Sequence, residues 1–549
     1  MEEAMKKKQI LVFLSLLLLL TGCKQDVGHN KTKENANAPV IKQNKEKVEV
    51  QEGGTLHLAM RTVQTLNPLL NEEETVDRIL KLVYLPLVKL DEKRKPSPSI
   101  AKGWSFSEDG KTLSMTLRED IQWQDGTNLT ADDVIFSMNT LRGASENAVY
   151  KNSMGYIASY TKTGTHSVTI TFRQTFSGNL YALCFPVICA HYYNQENVLT
   201  SAKNMKPMGD GYYKFQEFIP TKELRLVKSE TVFGEKAKMD NIVVSISADK
   251  NTDIFSFDQG LIDTLAADVT EMGKYDGTKN TKLFEYTTNY LDFIGFNFNQ
   301  SLFQDKNIRK AISYALPREA ILESVYLNHA TMANTLVNPT SWLFEENTIK
   351  YTYKAEEAEK LLRASNWIDS NRDGIRDRKT NELVETLKIT ILVNAENEAR
   401  RQIAMRLADE LHALGFDVSI DVEAFESYTQ KLLDKDYDMF IGGWQLSIIP
   451  DYSFMLHSSQ IGNGNYAAYN SVEMNEILGA AYVAVKEEDI RNAYSKLQKY
   501  TAEELPYIGI AFRNSALFSE ERVYGNVNPL ENNIFDNINE WFLYDSPGK

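Results

Sequence analysis

Cysteine is almost absent from this 549-residue chain: there are three, Cys23, Cys184 and Cys189, too few to frame a fold with disulfides. Past residue 20 no run of about 18 apolar residues offers a membrane-spanning helix. Basic clusters are missing beyond Lys6, Lys7 and Lys8, and the formal net charge is −15. That balance excludes a nucleic-acid partner, whose affinity would come mostly from neutralised phosphates. No G-x-S-x-G elbow and no H-E-x-x-H pair occurs, and the seven histidines are scattered, which gives a zinc or nickel site little support. Gly110-Lys111-Thr112 fails as a phosphate loop because its first glycine would fall at Ser105. Some pair among the 75 acidic residues will always be close in space, so carboxylates alone do not argue for a glycosidase.

What is present begins with an address. Lys6, Lys7 and Lys8 precede an apolar run from Ile10 to Leu20, which closes on Leu20-Thr21-Gly22-Cys23. Eleven residues rise only about 16 Å as a helix, roughly half of a hydrocarbon core of about 30 Å. The pattern is that of a cleaved export signal, residues 1–22. Glu2 and Glu3 interrupt the basic region, so Met5 is an alternative start. From Lys24 to about Gln51 the chain is polar and free of aromatic residues, and it cannot bury enough apolar surface to offset ordering. A flexible tether is expected over 23–52.

The remaining 500 or so residues exceed the roughly 250–300 at which single cores stop growing, so two or three lobes are expected. Composition, at 43% hydrophobic and 25% charged, is that of a globular protein. Gly54 to Leu58 reads as a strand and Thr65 to Leu69 as a loop held by Pro68. Leu113, Met115 and Leu117 alternate with polar residues as a half-buried strand after the Asp109-Gly110 turn. Thr130 is placed to cap a helix that carries Asp132 and Asp133 in its first turn, where carboxylates suit the positive end. Cys184 and Cys189, within the apolar run Leu183 to Ala190, are either a disulfide or two buried thiols. Asp369 to Asp377 copies nine positions of a calcium loop but has Thr380 where a bidentate glutamate is needed, which leaves weak calcium binding or a plain Asp-Gly turn.

The stretch from Thr386 to Trp444 is the most legible. Leu387 to Val393 alternates as a strand, Ala399 to Leu414 repeats apolar residues as a helix stopped by Gly415, and Phe416 to Val422 is the next strand. This spacing predicts a right-handed crossover between parallel strands. A helix over Tyr428–Leu433 and a third strand, Met439 to Ile441, lead into Gly442-Gly443-Trp444. Ligands bind beyond the carboxyl ends of strands in open α/β sheets. Gly443, Trp444 and Gln445 therefore form a candidate binding edge: glycine admits a close backbone approach and an indole gives an apolar wall with one donor. The alternative is a structural turn with a core tryptophan.

These motifs resemble the extracellular solute-binding proteins of ABC importers, family 5, of the oligopeptide-binding type. The resemblance rests on Leu66-Asn67-Pro68-Leu69, Tyr84-Leu85-Pro86-Leu87-Val88, Ser107 to Thr112, Leu117-Arg118, Trp123 to Gly126, Leu129 to Val134, Gly209 to Lys214, Gly295-Phe296-Asn297 and Ile308 to Ile312. Thr21-Gly22-Cys23 is similar to a bacterial lipobox, which implies a lipid on Cys23 and an extracytoplasmic, membrane-anchored protein. The family fold implies a two-lobed α/β binding protein of type II with a hinge and an extra lobe inserted in the N-terminal half. The expected boundaries are 53–84, 206–295 and 510–549 for lobe I, 85–205 for the extra lobe and 296–509 for lobe II. It also implies a monomer that makes or breaks no bond, needs no cofactor, encloses a solute between its lobes and presents it to a membrane permease. Thr65, Asn67, Gly443, Trp444, Gln445, Ser447, Asp451 and Tyr452 occupy the matching ligand-binding positions, whereas Asn297 and Arg309 match structural ones. One departure stands out. Peptide-binding relatives place an aspartate three residues after the matching tryptophan, where it meets the peptide amino terminus, and here that position is Ser447; Asp451 is the nearest alternative carboxylate. Oligopeptide is the foremost cargo, with blocked peptides, oligosaccharides and other solutes left open, together with a peptide-signal receptor and a secreted lipoprotein hydrolase.

Overall fold

Alternation sets the first sheets. In the strand Thr112–Leu117, Leu113, Met115 and Leu117 are buried while Ser114 and Thr116 face out. It pairs antiparallel with Ala101–Phe106 across the Asp109-Gly110 turn, and Gly110 takes φ 69°, a conformation that glycine adopts without steric cost. The helix Ala131–Gly143 starts in a capping box between Thr130 and Asp133. The computed structural model describes residues 48–544 except 276, 279, 381 and 382. The export signal, Cys23 and most of the tether lie outside the described residues, which belong to one compact unit.

Three sheets organise the body. Thr55–Met60 lies parallel to Asn241–Ile246, followed by Glu223–Lys228 and Tyr213–Ile219. A second four-stranded sheet runs Ala101–Phe106, Thr112–Leu117, Ser167–Phe172, Ile157–Gly164. The largest sheet has the order Thr264–Ala267, Tyr507–Glu520, Thr281–Phe296, Met439–Gln445, Lys388–Asn394, Asp417–Glu423. The crossover is as expected: Lys388–Asn394 and Asp417–Glu423 are parallel, joined by the helix Glu398–Ala413. Gly415, at φ 85°, ends that helix. Met439–Gln445 returns parallel to Lys388–Asn394 on the other side.

Two long strands, Thr281–Phe296 and Tyr507–Glu520, pass from one hydrophobic core to another. Leu291 and Phe512 belong to a core built from residues 291–512. Phe284 and Leu517, on the same two strands, belong to a core that also holds Leu56, Leu224, Ile242 and Trp541. Leu113, Trp123 and Phe185 are contiguous with that second core, so the inserted segment buries its apolar face against lobe I. Between the cores the register breaks: Thr287 faces Asn514 and Leu291 faces Phe512, leaving Thr288, Asn289 and Tyr290 opposite Arg513 alone. Such a bulge interrupts the ladder and bends the strand. We place the hinge there.

Two ambiguous motifs take a form. Cys184 and Cys189 are free thiols. The Asp369–Asp377 loop spends its acceptors on itself: Asp369 receives the N–H groups of Asp373 and Gly374, and Asp373 that of Ile375.

Candidate functional site

The strand Met439–Gln445 is buried up to Gly442 and then surfaces through Gly443 and Trp444 to an exposed Gln445. Gln445 pairs with Tyr290, and the next residue, Leu446, donates its N–H to the Asn289 carbonyl at 3.0 Å. The candidate edge thus ends on the hinge bulge. Trp444 is half-buried, stacked on Tyr466 with ring centres 5.9 Å apart and edge-on to Phe454 at 5.2 Å. Gly443 has a steric reason to be glycine. A Cβ there would lie 2.2 Å from Arg400 Nη2 and 2.7 Å from Asp292 Oδ1.

Those two groups belong to a buried charged cluster. Asp292 is fully buried; its Oδ2 accepts from Arg513 Nε and Tyr326 Oη, each at 2.7 Å, and its Oδ1 from Arg513 Nη2 at 3.0 Å and Arg400 Nε at 3.2 Å. Arg400 Nη1 donates to Asn394 Oδ1 at 3.2 Å, while its buried Nη2 has no hydrogen-bond partner. Arg513 keeps a quarter of its side chain exposed and lies 4.1 Å above the Tyr290 ring. Asp292 raises the Arg513 pKa despite burial, and burial together with Asp292 raises that of Tyr326. One carboxylate against two guanidinium groups leaves a cationic surplus beside the edge. Unmet donors of this kind suit a carbonyl or carboxylate oxygen.

The bulge itself is held from three directions. Arg94, at the tip of a hairpin in the inserted segment, donates to the Asn289 side chain, the Thr287 carbonyl and, at 3.0 Å, Glu531 Oε2. Glu531 also accepts the Asn289 N–H at 2.8 Å, and Asn338 Nδ2 reaches the Thr288 carbonyl at 2.8 Å. Burial lowers the Arg94 pKa and raises that of Glu531. Farther out the inserted segment meets lobe II directly. Trp342 donates through its backbone to the Lys93 carbonyl at 2.8 Å and through Nε1 to Tyr181 Oη at 2.9 Å. Ser177 donates to the Tyr482 carbonyl at 2.7 Å, with Phe176 stacked on Tyr482 at 4.4 Å. The inserted lobe and lobe II are thus in direct contact.

The residues anticipated from the sequence fall into two groups. Gly443, Trp444, Gln445, Ser447, Asp451 and Tyr452 lie along one segment, which starts with Trp444 packed on Phe454 and Tyr466 and reaches the inserted lobe at its far end, where Asp451 is near Tyr156 and Tyr452 near Arg94. Ser447 is exposed and its Oγ accepts from the Ile449 N–H at 3.1 Å; Asp451 receives the Ser453 N–H at 2.8 Å. Asp451 also raises the pKa values of Tyr156 and Tyr482, after burial. Tyr452 is buried, and burial pushes its phenol up, opposed by the nearby Arg94. Thr65 and Asn67 form the other group, and Asn67 departs from expectation. Its side chain is buried and spent internally: Nδ2 donates to Tyr193 Oη at 3.1 Å and Asn204 Oδ1 at 2.9 Å, and Oδ1 accepts from Leu69 N at 3.0 Å. Thr65 Oγ1 accepts the Asn67 N–H at 3.1 Å. Asn67 therefore ties the opening loop to the inserted lobe, and its amide is not free for a ligand.

Asn297 and Arg309 are structural, as their motif suggested. Asn297 Nδ2 donates to the carbonyls of Lys435 and Tyr437 at 3.0 and 2.8 Å, and Arg309 to those of Phe303 and Glu504 at 2.6 Å each. Asp292, Arg400, Arg513, Arg94 and Glu531 escaped the sequence reading. A signal for Asp292 existed, an acid set within the apolar run Leu291 to Phe296; the arginines and Glu531 carry none.

Comparison with known proteins places this geometry. The profile of the bacterial extracellular solute-binding proteins, family 5, middle region, matches residues 95–466. The oligopeptide-binding protein AppA of Bacillus subtilis is 24% identical over 98% of this chain and 99% of its own length. Heme-binding protein A of Haemophilus influenzae is 23% identical over 92% and 94%. Among solved structures, an ABC transporter substrate-binding protein from Sinorhizobium meliloti superposes with a TM-score of 0.76 at 19% identity, covering 90% of this chain and all of that one. NikZ of Campylobacter jejuni, in complex with Ni(L-His), does so with a TM-score of 0.61 at 24% identity over 89% and 99%. They share the two-lobed α/β binding-protein fold. With its hinge, its inserted lobe and a family profile spanning most of its length, the chain belongs to the bacterial extracellular solute-binding proteins, family 5.

Proposed function

We propose that this protein is the lipid-anchored solute-binding component of an ABC importer and that it encloses a peptide between its lobes for delivery to a membrane permease. The observation that carries this reading is the position of the Gly443–Gln445 edge against the hinge bulge. A solute held there touches both lobes, so its binding free energy can favour closure over opening. A peptide suits the edge because its carbonyls match the donor surplus around Arg400 and Arg513, and its backbone can pair as an added strand. Ser447 gives no counter-charge to an amino terminus; Asp451 would supply that carboxylate. Capture, with no bond made or broken, is the activity.

Native mass spectrometry of the protein as purified tests this reading, since an enclosed ligand survives gentle isolation and identifies itself by mass. Adducts with peptide masses, exchangeable for a defined peptide mixture without cleavage products, support it. A haem or metal-chelate adduct with no retention of peptides would overturn the cargo, and turnover of the mixture would overturn the binding class. Relatives named for haem binding, and one solved with Ni(L-His), make these ligands the right comparators.

A further inference from the structure

The inserted lobe holds a second constellation that shares no residue with the interlobe contacts. Asp125 comes from the turn before the capped helix, Asp133 from that helix's first turn, and Cys189 and His191 from the start of the short helix Ala190–Tyr193. One ligand atom each from Asp133, Cys189 and His191 lies within 4.8 Å of the others. Cys189 Sγ is 3.1 Å from His191 Nδ1, and His191 Nε2 is 2.7 Å from Asp125 Oδ2. A carboxylate on one ring nitrogen fixes the tautomer and leaves the other a free lone pair. Sγ is also 3.5 Å from Nε2, so the sulfur lies over the ring face and not along either nitrogen's lone pair. The Asp133 carboxylate is aligned by the N–H groups of Ala190 and Thr130, each at 2.8 Å; Oδ2 also accepts the Thr130 hydroxyl at 3.3 Å, while Oδ1 retains a further lone pair.

A sulfur, an imidazole and an oriented aspartate also resemble a nucleophilic triad. The Cys189 side chain is too deeply buried for a substrate to reach, and burial holds it as a thiol, so that use is set aside. His191 is nearly half exposed, so a small ion can enter from solvent. Tetrahedral zinc places sulfur and nitrogen ligands about 3.5 Å apart, and with the sulfur over the ring face the exposed imidazole has to swing by roughly a quarter turn to aim a nitrogen at an ion beside it.

We propose that Cys189, His191 and Asp133 bind a divalent transition-metal ion of the zinc class, with His191 turning away from Asp125 to reach the ion and water completing the coordination. One sulfur, one nitrogen and one oxygen donor favour a borderline ion over calcium or magnesium. On binding, the Cys189 S–H bond breaks, a metal–sulfur bond forms and the proton leaves to solvent, with no change of oxidation state.

Cobalt(II) titration of the reduced, metal-free full chain tests this. The expected result is a near-ultraviolet thiolate-to-cobalt charge-transfer band that saturates at one equivalent and is displaced by zinc. H191A, a change at an exposed position, should weaken cobalt binding at least tenfold; C189S should lose the band and C184S should keep it. Circular dichroism confirms that each variant folds, and if C189S does not fold, H191A decides. Absence of the band in the parent chain, a band retained in folded C189S or lost in folded C184S, or unchanged affinity in H191A would each overturn the site.

Discussion

Asp292→Asn tests how the hinge-side cluster is held together. In the parent chain one buried carboxylate accepts from Arg513 twice, Arg400 once and Tyr326 once, at 2.7 to 3.2 Å. The amide keeps the shape and one acceptor oxygen, but its NH2 group would replace the oxygen now facing either Arg400 Nε or the Arg513–Tyr326 pair, setting donor against donor. It also leaves two guanidinium groups without a counter-charge, one of them, Arg400, nearly fully buried. Removing one member of a buried pair costs about 3–5 kcal/mol. The core around this cluster is built from residues 291–512, and at about 2–4 °C per kcal/mol for a unit of about 150–250 residues the melting temperature should fall by about 6–20 °C. Thermal unfolding followed by circular dichroism reads the shift. A companion substitution supplies the control: adding Arg400→Met removes one surplus charge and should restore at least about 1 kcal/mol through a coupling that distant sites do not show. If Asp292→Asn melted within about 2 °C of the parent, or if Arg400→Met only added to the loss, the compensation argument would be wrong.

Trp444→Ala should weaken binding of the ligand recovered from the purified protein at least tenfold, about 1.4 kcal/mol, without altering the fold; unchanged affinity by calorimetry would remove Trp444 from the site. Asp210 is buried, and burial raises its pKa to about 8 from 3.8. Between about pH 4 and pH 8 the folded state then holds a proton that the unfolded state has released, so stability falls as pH rises through that window, by on the order of 1 kcal/mol per pH unit. Asp210→Asn keeps an acceptor for the Leu85 N–H and should flatten this slope in melting curves taken across the window. Cys23→Ala should leave ligand binding intact and move the protein out of the membrane fraction; fractionation that finds it still anchored would reject lipidation at that residue.

Period and punctuation made much of the fold readable. The parallel unit from Lys388 to Gln445 follows from period-2 and period-3.6 patterns broken by Gly415, and Thr130 and Asp133 spelled out a helix start that the structure repeats. The candidate edge was legible for the same reason, because the carboxyl end of a strand is a position in a pattern. The charged cluster was not. Asp292, Arg400 and Arg513 are separated by 108 and 113 residues along the chain, and only the folded sheet makes them neighbours. Asn67 misled in the opposite sense: the family resemblance implied a ligand contact there, whereas three hydrogen bonds consume its side chain. Cys189 and His191, two apart, were visible as a spacing but not as a site until the turn at Asp125 closed on them.

The two long strands that join the lobes also impose an order on assembly. Tyr507–Glu520 sits between Thr264–Ala267 and Thr281–Phe296 in the largest sheet, yet it follows both of them in the chain after the whole parallel unit. Until it arrives, the strand that crosses the hinge lacks its neighbour along both halves, and Trp541, fully buried in the lobe I core, is still missing. A nascent chain can complete the local parallel unit around Lys388–Gln445 early, but the lobe I core, which starts at Leu56, stays unfinished until Leu517 and Trp541 have been made. Such long-range pairing is slow and leaves strand edges exposed. Loss of the segment from Tyr507 onward would therefore unmake both lobes at once, since its residues complete both cores.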